Sequence, residues 1–209
     1  MKTNSNTYTI IYSAIMVVIV AFLLAFVSQS LKPIQDVNVA LDVKKQILFS
    51  LNIPRDIDNA GAEAKYKEIV KEEKNIDGNN IYICEVDGKP KYVIPLKGMG
   101  LWGGISGYIS INEDKSTVYG AYFNHESETA GLGAEIKDSK AWQDKFQGKK
   151  VFKDGSDEVV LSVVKKVDAP DCQVDAVTGA TLTSDGVNDM LHECIPTKVC
   201  RTQNIESKN

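Results

Sequence analysis

From Ile10 to Val27 the chain reads IIYSAIMVVIVAFLLAFV, eighteen residues without a charge. With Tyr8, Thr9, Ser28, Gln29 and Ser30 added, the uncharged run is long enough as a helix to cross a hydrocarbon core of ~30 Å. A helix satisfies its own backbone polar groups there. The run exceeds the ~7–15 apolar residues of a signal peptide, and Ser28-Gln29-Ser30 is a weak cleavage site. A retained anchor, ended by Pro33, is the expectation over a cleaved leader. Lys2 precedes the run, and Lys32, Lys44 and Lys45 follow it. Counted alone, those lysines put the rest of the chain in the cytoplasm, although Asp36 and Asp42 are mixed among them.

Beyond the anchor the pattern becomes amphipathic. Val39, Leu41, Val43, Ile47, Leu48 and Leu51 predict a helix of ~14 residues from Val37, stopped by Pro54. Ala60 to Lys74 is rich in helix formers and charge, which predicts a solvated helix with Tyr66, Ile69 and Val70 inward. Asn75 to Asn80 reads as a turn. Ile81–Val86 and Lys91–Ile94 are β-rich and flank Asp87-Gly88, a strong hairpin signal. Ile105–Ile111 and Thr117–Phe123 read as a second antiparallel pair around Asn112–Ser116. Trp142 and Phe146 mark a helix over Ala141–Gln147, and Val159–Val167 reads as a strand. Val187, Met190, Leu191, Cys194 and Ile195 fall on one helical face, with Ser184 or Thr183 as candidate N-cap. Strands clustered between terminal helices predict an α+β domain with a mainly antiparallel sheet and flanking helices.

Composition narrows the class. The chain has 209 residues, a net charge of −4 and a mean hydropathy of −0.17. That excludes a polytopic membrane protein and a disordered chain, and leaves room for one anchor and one domain. An acidic balance without a Lys/Arg block argues against nucleic acid as a partner. Cys84, Cys172, Cys194 and Cys200 form no Cys-x-x-Cys, so zinc-ribbon and thioredoxin readings have little support. Cys194 and Cys200 are spaced for a small disulfide loop; free thiols explain the four equally. Two histidines and scattered cysteines make a weak case for a metal.

Asp175 to Ser184 (DAVTGATLTS) carries the densest chemistry: three threonines and a serine around Gly179-Ala180, just before a helix. Unpaired N–H groups and the dipole at a helix N-terminus favour an anion, and Gly179-Ala180 permits close backbone approach. An ordinary capped helix after a turn accounts for the same residues. The Gly98–Gly104 loop, with Leu101 and Trp102, could cradle a phosphate through its amides. It lacks the spacing of a P-loop or a dinucleotide fingerprint, so no nicotinamide site is visible. His125, Glu126 and Glu128 read as an exposed polar loop or a carboxylate–imidazole site, and His192 as a surface residue.

Asp175-x-x-Thr178-Gly179-Ala180-Thr181 resembles the flavinylation motif of FMN-binding domains, Asp-x-x-(Ser/Thr)-Gly-Ala-Thr. Gly98-Met-Gly100-Leu101-Trp102-Gly103 and His125-Glu-Ser-Glu128-Thr129-Ala130-Gly131-Leu132-Gly133-Ala-Glu135 resemble two further segments of that family. Trp142, Phe146, Gly148 and Lys149 fall in family order. With the N-terminal anchor, the chain is similar over most of residues 8–195 to the C subunits of sodium-translocating NADH:quinone reductases. The motifs also resemble those of the related G subunit of the Rnf complex, which is an alternative reading. A stand-alone membrane-anchored extracytoplasmic flavoprotein and a non-redox scaffold subunit are the other readings. The one visible departure is Ala130, where the family usually has proline; it bears on the rigidity of the following turn.

The resemblance implies one FMN, joined by a flavin transferase through a phosphoester to Thr181, with Thr183 as fallback acceptor. It implies that Asp175, Thr178, Gly179, Ala180 and Leu182 surround the attachment point, with Leu101, Trp102, Glu128, Thr129, Gly131 and Leu132 beside the flavin. No catalytic residue of its own and no metal is implied. The implied role is an electron relay, from an iron–sulfur centre of the membrane subunits to the FMN of the B subunit and on toward quinone. Sodium export belongs to the whole complex, with the A, B, D, E and F subunits as partners. The resemblance also places the globular part on the periplasmic side of the bacterial inner membrane, against the lysine count. The expected organisation is a membrane anchor at 1–32, a helical linker region at 33–80, an FMN-binding domain at 81–200 and a polar tail at 201–209.

Overall fold

The apolar run lies within one long helix, α1 (Asn6–Ser50). The computed structural model describes residues 6–76 and 79–206, with side chains described for 6–75 and 80–195. These residues divide into two compact units, one through Asp42 and one from Val43. In the first, the apolar side chains from Ile10 to Val27 are exposed, and the helix is long and apolar enough to cross a membrane.

Pro33 does not end α1, contrary to expectation; it lies inside the helix. A proline removes one backbone hydrogen bond, and the cooperative run of bonds on either side carries the helix through. The stop comes at Ser50 rather than at Pro54. Asn52 takes a left-handed conformation (φ 61°), and the N–H groups of Leu51 and Ile53 both donate to the Leu48 carbonyl. Asparagine tolerates that conformation and so turns the chain.

The second unit begins with the last residues of α1, where Gln46, Ile47, Leu48 and Ser50 are buried. Helix α2 (Asn59–Ile69) follows, its N-terminus capped by Asp58, which accepts from the Gly61 N–H at 3.0 Å. The helix predicted to Lys74 stops five residues early. Val70–Ile76 is instead strand β1, paired antiparallel with β2 (Asn79–Val86). The 33–80 region is therefore not helical throughout; it supplies an edge strand of the sheet. Of the turn expected over Asn75–Asn80, Asn75–Ile76 belong to β1 and Asn79–Asn80 to β2, paired with one another, and 77–78 lie outside the described residues.

Asp87 and Gly88 (φ 53° and 71°) make the expected tight turn into β3 (Lys89–Met99). Strands β4 (Gly104–Ile111) and β5 (Val118–His125) complete a five-stranded antiparallel meander in chain order. Short helices α3 (Glu135–Asp138) and α4 (Lys140–Asp144) come next. Only Ser162–Val164 of the predicted 159–167 strand is regular, as β6. It pairs in parallel with the unforeseen β7 (Gln173–Asp175). The N–H groups of Val160 and Leu161 both donate to the Val151 carbonyl, which draws that stretch out of line.

Helix α5 (Thr181–Glu206) closes the fold and carries the backbone into 201–206 of the polar tail. Val187, Met190, Leu191 and Ile195 of α5 pack on Ile94, Leu96, Ile105 and Ile109 of the sheet. Phe123, Trp142 and Phe146 fill the other end of the core with ring centroids 5.1–5.6 Å apart. The architecture is the expected α+β one: a long apolar helix, then a mainly antiparallel sheet with flanking helices. The side chain of Cys200 lies outside the described residues, and with it the Cys194–Cys200 loop; His192 is exposed as expected.

Candidate functional site at the start of α5

Three chain crossings meet at one end of the sheet. β3 runs into the Gly100–Gly103 loop, closed by the Gly100 N–H on the Gly103 carbonyl at 2.8 Å. β5 runs into the 126–134 segment, and β7 runs through a turn at 176–180 into α5. That turn is tight: Gly179 is left-handed (φ 78°), and the Ala180 N–H donates to the Val177 carbonyl at 3.1 Å. Only glycine takes that conformation without strain.

The four hydroxyls of the motif have different fates. Thr183, 1% exposed, donates to Glu128 Oε2 at 2.6 Å. Ser184 Oγ, equally buried, accepts from the Val177 N–H at 3.1 Å and pins the turn against the helix. Neither is the N-cap expected of it. The helix starts at Thr181, and the Ser184 N–H already bonds to the Ala180 carbonyl. Thr178 is exposed on the turn. Thr181, the first residue of α5, is half-buried, and its hydroxyl makes no hydrogen bond among the described residues.

Glu128 sits under this arrangement, 7% exposed. Its Oε1 accepts from the Trp102 N–H at 2.9 Å and its Oε2 from Thr183, while its own N–H donates to His125 Nδ1 at 3.2 Å. Burial pushes the carboxyl up. Hydrogen bonds from Thr183, Trp102 and Leu101, with His125 nearby, outweigh that and hold it below the usual range. Glu128 therefore braces the loop from beneath and is not part of an exposed polar loop. His125 and Glu126 likewise brace backbone, Glu126 accepting from the Gly104 N–H at 3.3 Å.

Asp175 is also a tie. Its carboxylate pairs with Lys145 at 2.7 Å, and its carbonyl accepts from Trp142 Nε1 at 2.8 Å, fixing the strand that leads into the turn. The turn after Glu128 forms without the missing proline. The Leu132 and Ala134 N–H groups donate to the Thr129 carbonyl at 3.1 and 3.0 Å, with Gly131 left-handed (φ 72°) and Ala130 exposed.

Above these braces stands an apolar collar. Trp102 is 66% exposed, and Met99, Leu101, Leu132 and Leu182 are also largely exposed. Leu132 lies against Gly179, whose added Cβ would meet its Cδ2 at 2.9 Å. These five are the large hydrophobes exposed among the described residues of the unit from Val43, and they fall on the three segments of the motif region. Beside the turn, a cleft of about 330 Å³ is lined by Gly131, Trp142, Lys145, Asp175 and Thr178. A larger one, about 390 Å³, lies between the 114–116 and 152–157 loops and shares no residue with this site.

Leu101, Trp102, Leu132, Thr178, Gly179, Thr181 and Leu182 thus gather at one surface, whereas Ala180, Thr183 and Glu128 lie buried beneath it. Lys145 and Gly186 escaped the sequence reading, and Ser184 was expected as an N-cap rather than as the acceptor that pins the turn. Only the closeness of Gly186 to the motif hinted at it.

Residues 100–196 match the family described as FMN-binding domain. The C subunit of the sodium-translocating NADH-quinone reductase from Haemophilus ducreyi is 29% identical, covering 88% of this chain and 87% of its own length. The corresponding Pseudomonas aeruginosa protein is 36% identical over 54% of this chain; the matched part spans only 44% of that relative. The crystal structure of the corresponding C subunit from Parabacteroides distasonis superposes with a TM-score of 0.73 at 37% identity. The match covers 81% of this chain and 95% of that one.

Proposed function

The chain belongs to the family of C subunits of the sodium-translocating NADH-quinone reductases, an FMN-binding family, and from that premise we propose that it is an electron-relay subunit carrying one FMN through a phosphoester on Thr181. The observation that carries this reading is the division of labour among the motif hydroxyls. Thr183 and Ser184 are buried and committed, so Thr183 is not available as a second acceptor. Thr181 stands at the opening of a 26-residue helix, and its hydroxyl has no hydrogen-bond partner among the described residues.

The chain's residues fit the group. The first N–H groups of α5 have no intrahelical acceptor, and the dipole favours the phosphate's negative charge there. Gly179 and Ala180 leave room beside the ester. Trp102, Leu101, Leu132 and Leu182 offer apolar surface to a flat ring system and keep water from one side of it. A bound flavin supplies one- and two-electron transfer, while the protein supplies position and electronic environment. Attachment requires an activated donor, a flavin phosphoanhydride presented by a flavin transferase. The threonine Oγ–P bond forms, the anhydride P–O bond breaks, and the hydroxyl proton passes to the departing phosphate. The proposed partners are the A, B, D, E and F subunits. The proposed location is the bacterial inner membrane, anchored by α1, with the unit from Val43 on the periplasmic side.

Intact mass of the full chain, purified from a host with the transferase, tests the assignment. The native chain should exceed its sequence mass by one FMN less one water. Thr181→Ala should lack that increment while keeping its thermal midpoint. An adduct that survives in Thr181→Ala overturns the assignment.

A further inference from the structure

Among the described residues Glu128 makes no hydrogen bond to Thr181, yet its side chain joins all three motif segments. It belongs to the 126–134 segment. Its carboxylate holds the 100–103 loop through the Trp102 N–H and the start of α5 through the Thr183 hydroxyl. The partners lie 26 and 55 residues away in sequence. Two glycines exist around it for want of space. A Cβ on Gly100 would lie 2.5 Å from Glu128 Oε1, and one on Gly133 would crowd Oε2 and lie 2.6 Å from Thr183 Oγ1. The glycines of two separate motifs therefore shape one seat for one carboxylate.

A buried carboxylate with both oxygens satisfied by donors from different segments works as a latch. Removing it leaves a part-buried N–H and a buried hydroxyl without that acceptor. It also frees the loop that carries Leu101 and Trp102, the side chains nearest the proposed ring site.

We infer that Glu128 is a positioning residue for flavin attachment: by bonding the Trp102 N–H and the Thr183 hydroxyl at once, it fixes the apolar loop against the first turn of α5 and so presents Thr181 for modification. The inference rests on the Thr181 reading. A carboxamide should replace the carboxylate in this role, because its oxygen still accepts from Trp102 and its nitrogen donates to Thr183 Oγ1. A methyl group cannot.

The test uses the full chain in detergent, as Glu128→Ala and Glu128→Gln, produced with the flavin transferase. Two quantities are read: the fraction of chain bearing the adduct by intact mass, and amide hydrogen exchange at Trp102 in the unloaded Thr181→Ala background. Glu128→Ala should lower occupancy at least fivefold and speed Trp102 exchange at least tenfold. Glu128→Gln should stay within about twofold of the parent in both. Parent-like occupancy in Glu128→Ala overturns the inference. So does equal impairment of the Ala and Gln variants, which would make the charge the determinant rather than the two hydrogen bonds. The exchange measurement needs no flavin. If the parent proves to carry its adduct elsewhere, the Thr181 reading fails, while the exchange ratio still decides whether the latch exists.

Discussion

At the scale of single residues, the site separates groups that face outward from groups that hold them. Glu128 gives that separation a pH signature. Its carboxyl titrates below the usual range in the folded chain, so its folded value lies beneath its unfolded one, about 4.3. The stabilisation is present above the unfolded value and is lost as pH falls through the folded one. A glutamine there cannot titrate. The thermal midpoints of the parent and Glu128→Gln, measured against pH, should converge as pH falls below about 4; a constant gap across that range would overturn the assignment. The outward residues were legible in the sequence because Asp175–Ser184 is one continuous pattern. The inward ones were not. Glu128 reads as one acid in a polar loop until the chain folds and brings Trp102 and Thr183 to it, and the Thr183 hydroxyl looks as free as that of Thr181.

At the scale of elements, periodicity located β2 to β5 and α5, where alternation or a helical face agrees with burial. It failed where local propensity and tertiary pairing disagree. Val70-Lys-Glu-Glu-Lys74 is a good helix sequence, but Glu73 and Lys74 lie opposite Tyr82 and Ile81 of β2, and pairing wins over propensity. Contact between α5 and β3 poses the same contest in a form that can be measured. Gly186 lies inside α5, where alanine would gain about 0.5–1 kcal/mol of helix propensity. Its Cβ, however, would run into the Met99 carbonyl oxygen of β3, with Gly100 Cα at 3.4 Å. Overpacking against backbone costs about 1–3 kcal/mol, so the clash outweighs the gain. Gly186→Ala should be destabilised, by about 1–2 kcal/mol net. In thermal melts that is a fall of about 2–8 °C for a domain of this size. A rise in midpoint would mean that α5 can lift off β3 freely, and that the close approach does not set the motif's position.

At the scale of the whole molecule, charge and family resemblance point to opposite sides of the membrane. The lysine count favours the cytoplasm only if Lys44 and Lys45 act as loop charges beside the anchor. Both lie in the folded unit from Val43, where Lys44 pairs with Glu63 at 3.0 Å and Lys45 donates to Asn59 at 2.7 Å. Folded domains cross largely regardless of their charge, which leaves Lys2 against Lys32 as the local contest. That near balance removes the main objection to a periplasmic domain. The cysteines give the means of checking it. Cys84 is buried, and burial pushes its thiol up to about 12, so it stays protonated and inert at neutral pH. Cys172 is a half-buried free thiol within reach of reagent. A membrane-impermeant maleimide added to intact spheroplasts should therefore modify Cys172 and spare Cys84, as read by peptide mapping of the purified chain. Cys172→Ser should remove that modification. If Cys172 is modified only after the membrane is broken, the domain faces the cytoplasm, and the anchor's lysines, not the family resemblance, decide its orientation.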